Sequence, residues 1–387
     1  MHAAPADEAF CRRDYMDHPV AFHARLKKNR PLGPEPDLLE PPTSRPRRFL
    51  WGARLRYYLP VFTPRRVFNA LAITGSYYLS RLLRRHLVWG RPLSYFVEPT
   101  NLCNLRCTEC PVGLKQLRRP QGLMDASLYQ NVLDQIAPTA LHVLLYFQGE
   151  SFIHPQIIPF IRSAVERHLL VEISTNGTRL ANAEFAEQLV RTRLWRLIVS
   201  VDGASEETYQ IYRQKGHFHR VLRGIRHVVE VKRRLGQAFP QVVLQFLVMR
   251  HNEHEIPAIK ALGRQLGVDR VVLKSPQIYH FSDAEAILPT NPRFRRYEKV
   301  NGTYRLKGSF SGYCRKLWIG SVITQDGQVL PCCFDKDATY PLGNLNQSSL
   351  AAVWRSGKTV SFRNRVIRHR EKIPMCRNCS EGLRIFF

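Results

Sequence analysis

Residues 93–110 read LSYFVEPTNLCNLRCTEC and join a short apolar run to three closely spaced cysteines. The run Leu93–Glu98 has the length and composition of a buried strand. Three thiolates on one tight loop can hold three corners of a 4Fe–4S cluster and leave the fourth iron open. A structural zinc site is the alternative, but zinc normally takes four ligands, and no fourth cysteine or histidine lies nearby. The segment therefore predicts a strand that ends in an iron–sulfur loop built from Cys103, Cys107 and Cys110.

Five further apolar runs follow this strand, and helical patterns separate them. Strands that alternate with helices indicate βαβ units and a parallel sheet. Six such units over roughly 190 residues favour an α/β fold in which the sheet curls into a partial (β/α)6 barrel. An open doubly wound sheet is the alternative that periodicity alone leaves open. The five runs are His142–Phe147, Leu170–Ser174, Leu197–Val201, Val242–Val248 and Val271–Leu273.

Polar residues follow the predicted strands at the point where each strand ends. Parallel α/β folds carry their chemistry at the carboxyl ends of the strands, which meet on one rim. The first such end carries the cysteine loop. The ends of the next three carry Gly149 and Glu150, Ser174 and Asn176, and Ser200 and Asp202. We therefore expect one site on this rim.

The cysteine loop resembles the CxxxCxxC signature of the radical S-adenosylmethionine (SAM) superfamily, and the later strand ends resemble its other motifs. Gln148–Ser151 matches the segment GGEP that binds the methionine amino group of SAM in the family. Ser174–Gly177 matches the segment that contacts the SAM ribose, and Ser200–Gly203 is similar to the usual end of the fourth strand. The resemblance covers roughly residues 94–276. This sequence differs from the family pattern at two points. Glu109 stands where the family often has an aromatic residue, and residues 148–151 read QGES where the family has GGEP.

This resemblance implies an enzyme and a set of SAM contacts. In the family, a reduced 4Fe–4S cluster donates one electron to SAM, which gives a 5′-deoxyadenosyl radical that abstracts a hydrogen atom from the substrate. The protein supplies binding, orientation and exclusion of side reactions. The residues expected to bind SAM are Gly149, Glu150, Ser174, Asn176, Ser200 and Asp202.

A second group of cysteines lies near the C-terminus. The spacing from Cys314 through Gly327 to Cys332, followed by the CxxC pair Cys376 and Cys379, resembles the SPASM/twitch module of radical SAM enzymes. The resemblance implies that these four cysteines hold one auxiliary 4Fe–4S cluster. A four-cysteine zinc ribbon is the alternative. Cys333 is expected to be a spare thiol, because the glycine spacing favours Cys332 as the ligand.

These patterns divide the chain into four predicted parts. Residues 1–92 form a basic N-terminal extension, irregular at first and then an amphipathic helix over 63–87. Residues 93–280 form the barrel, 281–305 a linker, and 306–387 the small cysteine-rich auxiliary-cluster domain. Cys11 lies in the irregular part and is expected to be free.

The chain is strongly basic, with 58 Lys and Arg against 31 Asp and Glu, a net charge of +27. Residues 41–92 hold eleven arginines and no acidic residue, and a second basic stretch runs over 363–372. Such a field attracts polyanions. Peripheral docking of the amphipathic helix on an anionic membrane is one reading, and packing of that helix on the barrel is the other. Nucleic acid is disfavoured as a partner because no recognition motif for it is present.

The grouping of the nine cysteines is typical of metal sites in a reducing compartment and excludes a secreted disulfide scaffold. We therefore expect a cytoplasmic protein, with the membrane association named above as one reading, that takes electrons from a donor such as flavodoxin or ferredoxin. The expected activity is an oxidation assisted by the auxiliary cluster, on an alcohol, polyol or glycan or on a peptide side chain. The alternatives are a nucleic-acid-modifying enzyme and a non-catalytic iron–sulfur or zinc protein.

Overall fold

The computed structural model describes residues 49–279, 281–308 and 314–380, so Cys11 lies outside the described residues. The strands are β1 Ser94–Val97, β2 His142–Leu144, β3 Leu170–Thr175, β4 Arg196–Ser200, β5 Gln241–Leu247, β6 Arg270–Lys274, β7 Tyr297–Val300, β8 Thr303–Leu306, β9 Gly320–Ile323, β10 Gln328–Leu330 and β11 Gly343–Asn344. The helices are α1 Phe49–Tyr58, α2 Pro64–Leu83, α3 Ala126–Ile136, α4 Ile157–Glu166, α5 Ala183–Arg191, α6 Glu206–Tyr212, α7 Phe218–Arg234, α8 Ile256–Gln265, α9 Ala284–Ile287, α10 Lys316–Ile319, α11 Leu350–Arg355, α12 Gly357–His369 and α13 Pro374–Arg377. Short 3-10 turns span Leu59–Val61, Ser151–Ile153, Thr178–Ala181, Glu253–Glu255, Phe281–Asp283, Pro292–Phe294 and Arg370–Lys372.

Strands β1 to β6 lie side by side in chain order, and each pairs in parallel with the next. A doubly wound sheet would reverse its strand order at a switch point. The unbroken order therefore decides between the two predicted architectures and confirms the partial barrel. The carboxyl ends of all six strands meet at one rim, as the sequence predicts.

The barrel strands are apolar because helices cover them. In β3, Val171 and Ile173 are completely buried, and in α7 the apolar residues Val221, Ile225 and Val228 are buried as well. These three residues recur every three or four positions, which puts them on one side of the helix. Packing of such helix faces on the sheet forms the core and fixes the strand ends that carry the site.

The C-terminal segment extends the same sheet. Strand β9 pairs in parallel with the free edge of β1, and β10 and β11 follow in antiparallel order. The cysteines of this segment are thereby joined to the strand that leads into the first cysteine loop. The predicted linker 281–305 contains α9 and β7, and β7 forms a separate antiparallel hairpin with β8. The domain boundaries stay a prediction.

Helix α2 packs on the barrel through one side. Thr63 caps its N-terminus by accepting a hydrogen bond from the Arg66 backbone N–H, and Pro64 occupies the first helical position. The buried Arg66 guanidinium donates to the carbonyls of Ala137, Arg167 and His168, at the ends of α3 and α4. A cation there is stabilised by the negative ends of both helix dipoles.

Within the described ranges, no helix is long and apolar enough to cross a membrane.

Candidate active site

The loop that carries Cys103, Cys107 and Cys110 is held along the segment that follows α6. The backbone N–H of Arg106 donates to the Gln214 carbonyl at 3.0 Å, and that of Thr108 donates to the Tyr212 carbonyl at 3.3 Å. These two bonds fix the middle of the loop against a segment more than a hundred residues away in sequence. The loop is thus anchored from both sides of Cys107.

The donor set of this loop fits an iron–sulfur cluster. Cys107 is buried and the other two cysteines are half-buried. Burial raises the pKa of the Cys103 thiol to about 12, and the neighbouring Glu150, Cys107 and Cys110 add to the shift. Burial likewise raises the pKa of Cys107 to about 11. Buried thiols such as those of Cys103 and Cys107 are costly to ionise, and iron would offset that cost by binding them as thiolates.

Among the described residues, no three His, Cys, Asp or Glu side chains meet at a point suited to one metal ion. The ligands of a four-iron cluster each bind a different iron, so they do not need to meet at one point.

Arg213 contacts one of these cysteines directly. Its Nη1 donates to Cys107 Sγ at 3.8 Å, and its Nε donates to Asp202 Oδ2 at 2.6 Å. Burial would lower the pKa of Arg213, but Asp202 and then Cys107 raise it well above its ordinary value. The other carboxylate oxygen of Asp202 accepts the Leu247 N–H at 2.7 Å. Asp202, which the sequence singled out, therefore holds the cation that faces the cysteine. Arg213 was missed, because nothing in its local sequence marks it.

Glu150 joins the second and third strand ends to the cysteine loop. Its carboxylate accepts hydrogen bonds from Thr175 Oγ1 and the Asn176 N–H, both at 2.7 Å, and from the Phe152 N–H at 3.2 Å. Burial raises the pKa of Glu150, and these hydrogen bonds act in the opposite direction. Its own N–H donates to the Leu102 carbonyl at 2.7 Å.

Gly149 is required for this approach. It has φ +77°, and a Cβ there would lie 2.6 Å from the Leu102 carbonyl oxygen and 2.7 Å from the Asn101 backbone. Only glycine lets the two loops lie this close.

Asn176 completes the contact from the third strand. Its Nδ2 donates to Asn104 Oδ1 at 2.9 Å, on the side of Cys103 opposite to Leu102. Ser174 is half-buried near the end of β3, and Ser200 is buried at the end of β4. The structure thus brings Gly149, Glu150, Asn176 and Asp202 against the cysteine loop or its neighbours. The assignment of all six residues to SAM stays a prediction.

The four C-terminal cysteines Cys314, Cys332, Cys376 and Cys379 are all buried. The pKa of Cys332 is raised mainly by its hydrogen bond with Cys333 and by burial. Cys314 and Cys379 make smaller contributions in the same direction. Burial raises the pKa of Cys376 to about 11, and Cys314 adds to the shift. Cys314 therefore lies within electrostatic reach of Cys332 and Cys376, and Cys379 lies within reach of Cys332, a donor set that fits one auxiliary cluster.

Cys333 differs from its neighbour. It is half-buried, and its Sγ accepts a hydrogen bond from Lys316 Nζ at 3.9 Å. Burial lowers the pKa of Lys336, and the thiols of Cys110 and Cys333 act in the opposite direction. Its ammonium donates to the Tyr279 hydroxyl. Sequence reasoning missed Lys336 and Tyr279, since neither belongs to a spaced motif.

Comparison with known proteins agrees with this geometry. The family model of the radical SAM superfamily matches residues 97–262, and the SPASM model, an iron–sulfur cluster-binding domain, matches residues 314–380. The chain is 26% identical over 318 residues to the tungsten-containing aldehyde ferredoxin oxidoreductase cofactor-modifying protein of Pyrococcus furiosus, across 74% of this chain and 86% of that protein.

Two further proteins are similar. The PqqA peptide cyclase of Gluconobacter oxydans is 26% identical over 284 residues, which cover 68% of this chain and 76% of that protein. The structure of Streptococcus suis SuiB bound to S-adenosylmethionine superposes with a TM-score of 0.55 at 15% identity, over 78% of this chain and 75% of SuiB. The chain belongs to the radical SAM superfamily and carries a C-terminal SPASM module, and its cofactors are a SAM-binding 4Fe–4S cluster, SAM and auxiliary iron–sulfur.

Proposed function

We propose that this chain is an oxidoreductase-like radical SAM enzyme in which Cys103, Cys107 and Cys110 hold the SAM-binding cluster. When bound, the cofactors supply one-electron cleavage of SAM, hydrogen abstraction from the substrate and an acceptor for the electron that remains on it. One observation carries the proposal. The strand-end residues Glu150 and Asn176 bond to Leu102 and Asn104, the two neighbours of Cys103.

The protein's own residues have two tasks in this proposal. Gly149, Glu150, Ser174, Asn176, Ser200 and Asp202 shape the SAM site at the rim. Arg213 stabilises negative charge on the Cys107 sulfur, since a cation beside a thiolate favours the charged form. Because reactive positions must be held within a fraction of an ångström, the contacts among these loops matter more than any one of them.

We further propose that Cys314, Cys332, Cys376 and Cys379 hold one auxiliary 4Fe–4S cluster. The pairing of β9 with β1 supports this role, because it joins the C-terminal segment to the strand that leads into the first cysteine loop. Lys336, which lies near both Cys110 and Cys333, is suited to hold a polar group of the substrate between the two sites.

The reaction that these parts suit is a two-electron oxidation. For an alcohol carbon, one hydrogen atom leaves to the radical, and one electron and one proton leave afterwards, so that a carbonyl forms. An alcohol, polyol or glycan is the first substrate class. A peptide side chain is the second, and the similarity to PqqA peptide cyclase favours it.

The test is formation of 5′-deoxyadenosine from SAM, measured by mass spectrometry after anaerobic reconstitution and reduction. We expect the wild type to form it and the Cys103→Ala/Cys107→Ala/Cys110→Ala variant to form none. The Cys332→Ala variant is the matched control and should still cleave SAM without substrate. Absence of SAM binding and cleavage in an iron-loaded wild type would refute the proposal.

The same assay can rank substrates. Polyols, glycans and peptides are added in turn, and a substrate is expected to accelerate 5′-deoxyadenosine formation in the wild type. With Cys332→Ala, the oxidised product should be lost although SAM cleavage persists. Equal product from both proteins would contradict the role of the auxiliary cysteines.

Two partners complete the proposal. Radical SAM chemistry needs a one-electron reductant, and we propose flavodoxin or ferredoxin in a reducing, cytoplasmic compartment. We also propose a peripheral contact with an anionic membrane, because residues 41–92 hold eleven arginines and no acidic residue.

A further inference from the structure

Exposed apolar side chains are concentrated in one part of the chain. Among the described residues, thirteen large hydrophobic side chains are exposed, and ten of them lie between residues 55 and 89. Scattered exposed hydrophobic residues are ordinary, whereas a contiguous group marks a surface that contacts a partner or a membrane. The ten are Leu55, Leu59, Phe62, Val67, Phe68, Leu71, Tyr78, Leu82, Leu83 and Trp89.

Five of these side chains form one stripe on α2, here called the outer stripe: Val67, Phe68, Leu71, Tyr78 and Leu82. Their spacing of mainly three and four residues, allowing for the missing side chain of Gly75, keeps them on one side of the helix. Phe68 and Leu82 are 75% and 77% exposed. A Cβ built on Gly75, in the middle of the stripe, would meet only open space.

The opposite side of α2 is the one that packs on the barrel. Its buried positions are Arg66, Asn69, Ile73, Ser76, Tyr77 and Ser80. Packing of this helix on the barrel and docking of it on a membrane are therefore compatible, since one side is packed and the other presents apolar side chains outward.

A cavity of about 270 Å³ lies beside this helix, here called the arginine cavity. It brings together arginines of the N-terminal basic stretch and arginines of the C-terminal segment. Arg65 and Arg91 come from the N-terminal stretch, and Arg355 and Arg363 come from α11 and α12. Asn69 and Thr139 add polar groups, and Trp89 and Trp354 add aromatic ones. No acidic side chain of the described part of the chain lines the cavity.

Arg363 adds a buried cation to this cavity. It is 2% exposed, it lies 3.7 Å over the Trp354 ring, and its Nη1 is 3.3 Å from His86 Nε2. Its buried Nη2 has no hydrogen-bond partner among the described residues. Burial lowers its pKa to about 9. A buried cation without a carboxylate is costly, and an anion in the adjacent cavity would offset that cost.

We propose that the outer stripe of α2 docks on an anionic phospholipid membrane and that the arginine cavity takes the phosphate of a lipid headgroup. This inference deepens the proposed membrane contact by naming its surface and its ligand. A helix of this kind lies in the plane of the interface, with its apolar side among the acyl chains and arginines at the headgroups. Trp89 and Tyr78 are the residue types that favour this depth.

Charge favours a membrane over a second copy of the chain. A symmetric dimer through this surface would bring the same arginine-rich patch of each copy together, with no acidic residue in 41–92 to pair with it. An anionic lipid surface instead offers many phosphates to Arg65, Arg91 and Arg355.

The experiment is flotation of the full chain with phosphatidylcholine vesicles and with vesicles in which phosphatidylglycerol replaces part of that lipid. We expect flotation with the anionic vesicles alone. The stripe variant Phe68→Ser/Leu71→Ser/Leu82→Ser and the cavity variant Arg65→Gln/Arg91→Gln/Arg355→Gln should each lower vesicle partitioning at least about tenfold. The control Arg162→Gln/Arg220→Gln/Arg264→Gln removes the same charge from exposed positions on α4, α7 and α8 and should lower it much less.

Several results would overturn the proposal. One is equal flotation on both vesicle types, and another is no flotation at all. A third is an effect of the cavity variant no larger than that of the control. A dimer that the stripe variant abolishes would assign the surface to a second copy. Tight binding of inorganic phosphate without flotation would make the cavity a site for free phosphate.

Circular dichroism of each variant shows whether it folds, and 5′-deoxyadenosine formation separates the two proposals. Absence of flotation in a wild type that still cleaves SAM refutes the docking surface alone. Flotation without SAM cleavage in an iron-loaded wild type refutes the proposed catalysis alone.

Discussion

Arg119 holds the carboxylate of Glu98 with two hydrogen bonds of 2.7 Å, one from each terminal nitrogen. Both side chains are buried. Glu98 follows β1, and Arg119 lies beyond the cysteines on the loop that β1 leads into. Arg119 also donates to Gln325 Oε1 at 3.0 Å and to the Lys336 carbonyl at 2.7 Å, both in the C-terminal segment. The Glu98–Arg119 ion pair and the other hydrogen bonds of Arg119 therefore join the barrel strand β1, the cysteine loop and the C-terminal SPASM module.

Replacing Arg119 by Met should destabilise the fold strongly. Within the described ranges, it would leave the buried Glu98 with the N–H groups of Gln148 and Gln325 as its remaining partners. Breaking a buried pair from one side costs about 3–5 kcal/mol of the free energy of unfolding. Urea denaturation of the reconstituted protein measures the loss.

The matched control is Arg167→Met. Arg167 pairs with Asp134 at 2.7 Å, but their side chains are 31% and 65% exposed. A pair in that environment contributes about 0–1 kcal/mol. Equal losses from the two substitutions would show that the Glu98 pair does not join the three segments.

Iron content should divide into two independent parts. With two four-iron clusters, the reconstituted wild type should hold roughly eight irons per chain. The Cys103→Ser/Cys107→Ser/Cys110→Ser variant and the Cys314→Ser/Cys332→Ser/Cys376→Ser/Cys379→Ser variant should each keep about half. Colorimetric iron assay and Mössbauer spectroscopy check this, and loss of all iron from either variant would contradict separate sites.

Cys332 and Cys333 should behave differently when each is changed to Ala. Cys332 is the one on whose pKa Cys314 and Cys379 act, whereas Cys333 contacts Lys316. We expect Cys332→Ala to lower the auxiliary iron content and Cys333→Ala to leave it unchanged. Loss of auxiliary iron from Cys333→Ala and not from Cys332→Ala would instead make Cys333 the ligand.

Local sequence predicted the strands and their ends, because apolar runs and the residues that follow them are short-range features. It predicted less well what joins distant segments. The pairing of Ser94–Val97 with Gly320–Ile323 spans more than two hundred residues, and neither strand carries a signal for the other. The motifs placed Asp202 at the rim, but the cation beside it could be found only once the chain was folded.

The meeting of the two basic regions in one cavity is another feature that local sequence did not predict. Composition alone showed that 41–92 and 363–372 are rich in cations. It gave no reason for Arg65 and Arg363 to line one cavity, since that depends on the packing of α2 and α12. Periodicity likewise indicated an amphipathic helix without deciding which side meets the barrel.

Gly149→Ala should impair SAM binding, because the added Cβ would clash with the backbone of Asn101 and Leu102 beside Cys103. Gly236→Ala is the matched control, since Gly236 also has positive φ, +61°, but a Cβ there meets nothing within 4 Å. Both pay the cost of a strained φ, about 1–2 kcal/mol. Equilibrium dialysis with SAM should show weaker binding for Gly149→Ala alone, and equal affinities would contradict the close approach.

Arg213→Met should make the SAM-binding cluster harder to reduce. A cation that donates to Cys107 Sγ stabilises the more negative, reduced state, so its removal shifts the reduction potential downward. A shift on the order of 60 mV corresponds to about 1.4 kcal/mol for one electron, a reasonable size for one charge-assisted hydrogen bond. Redox titration followed by electron paramagnetic resonance measures this shift.

The matched control is Arg106→Met, which removes an exposed arginine from the same loop. It should leave the potential nearly unchanged, because water screens the charge of Arg106. Shifts of equal size would mean that net charge, and not the contact with Cys107, sets the potential.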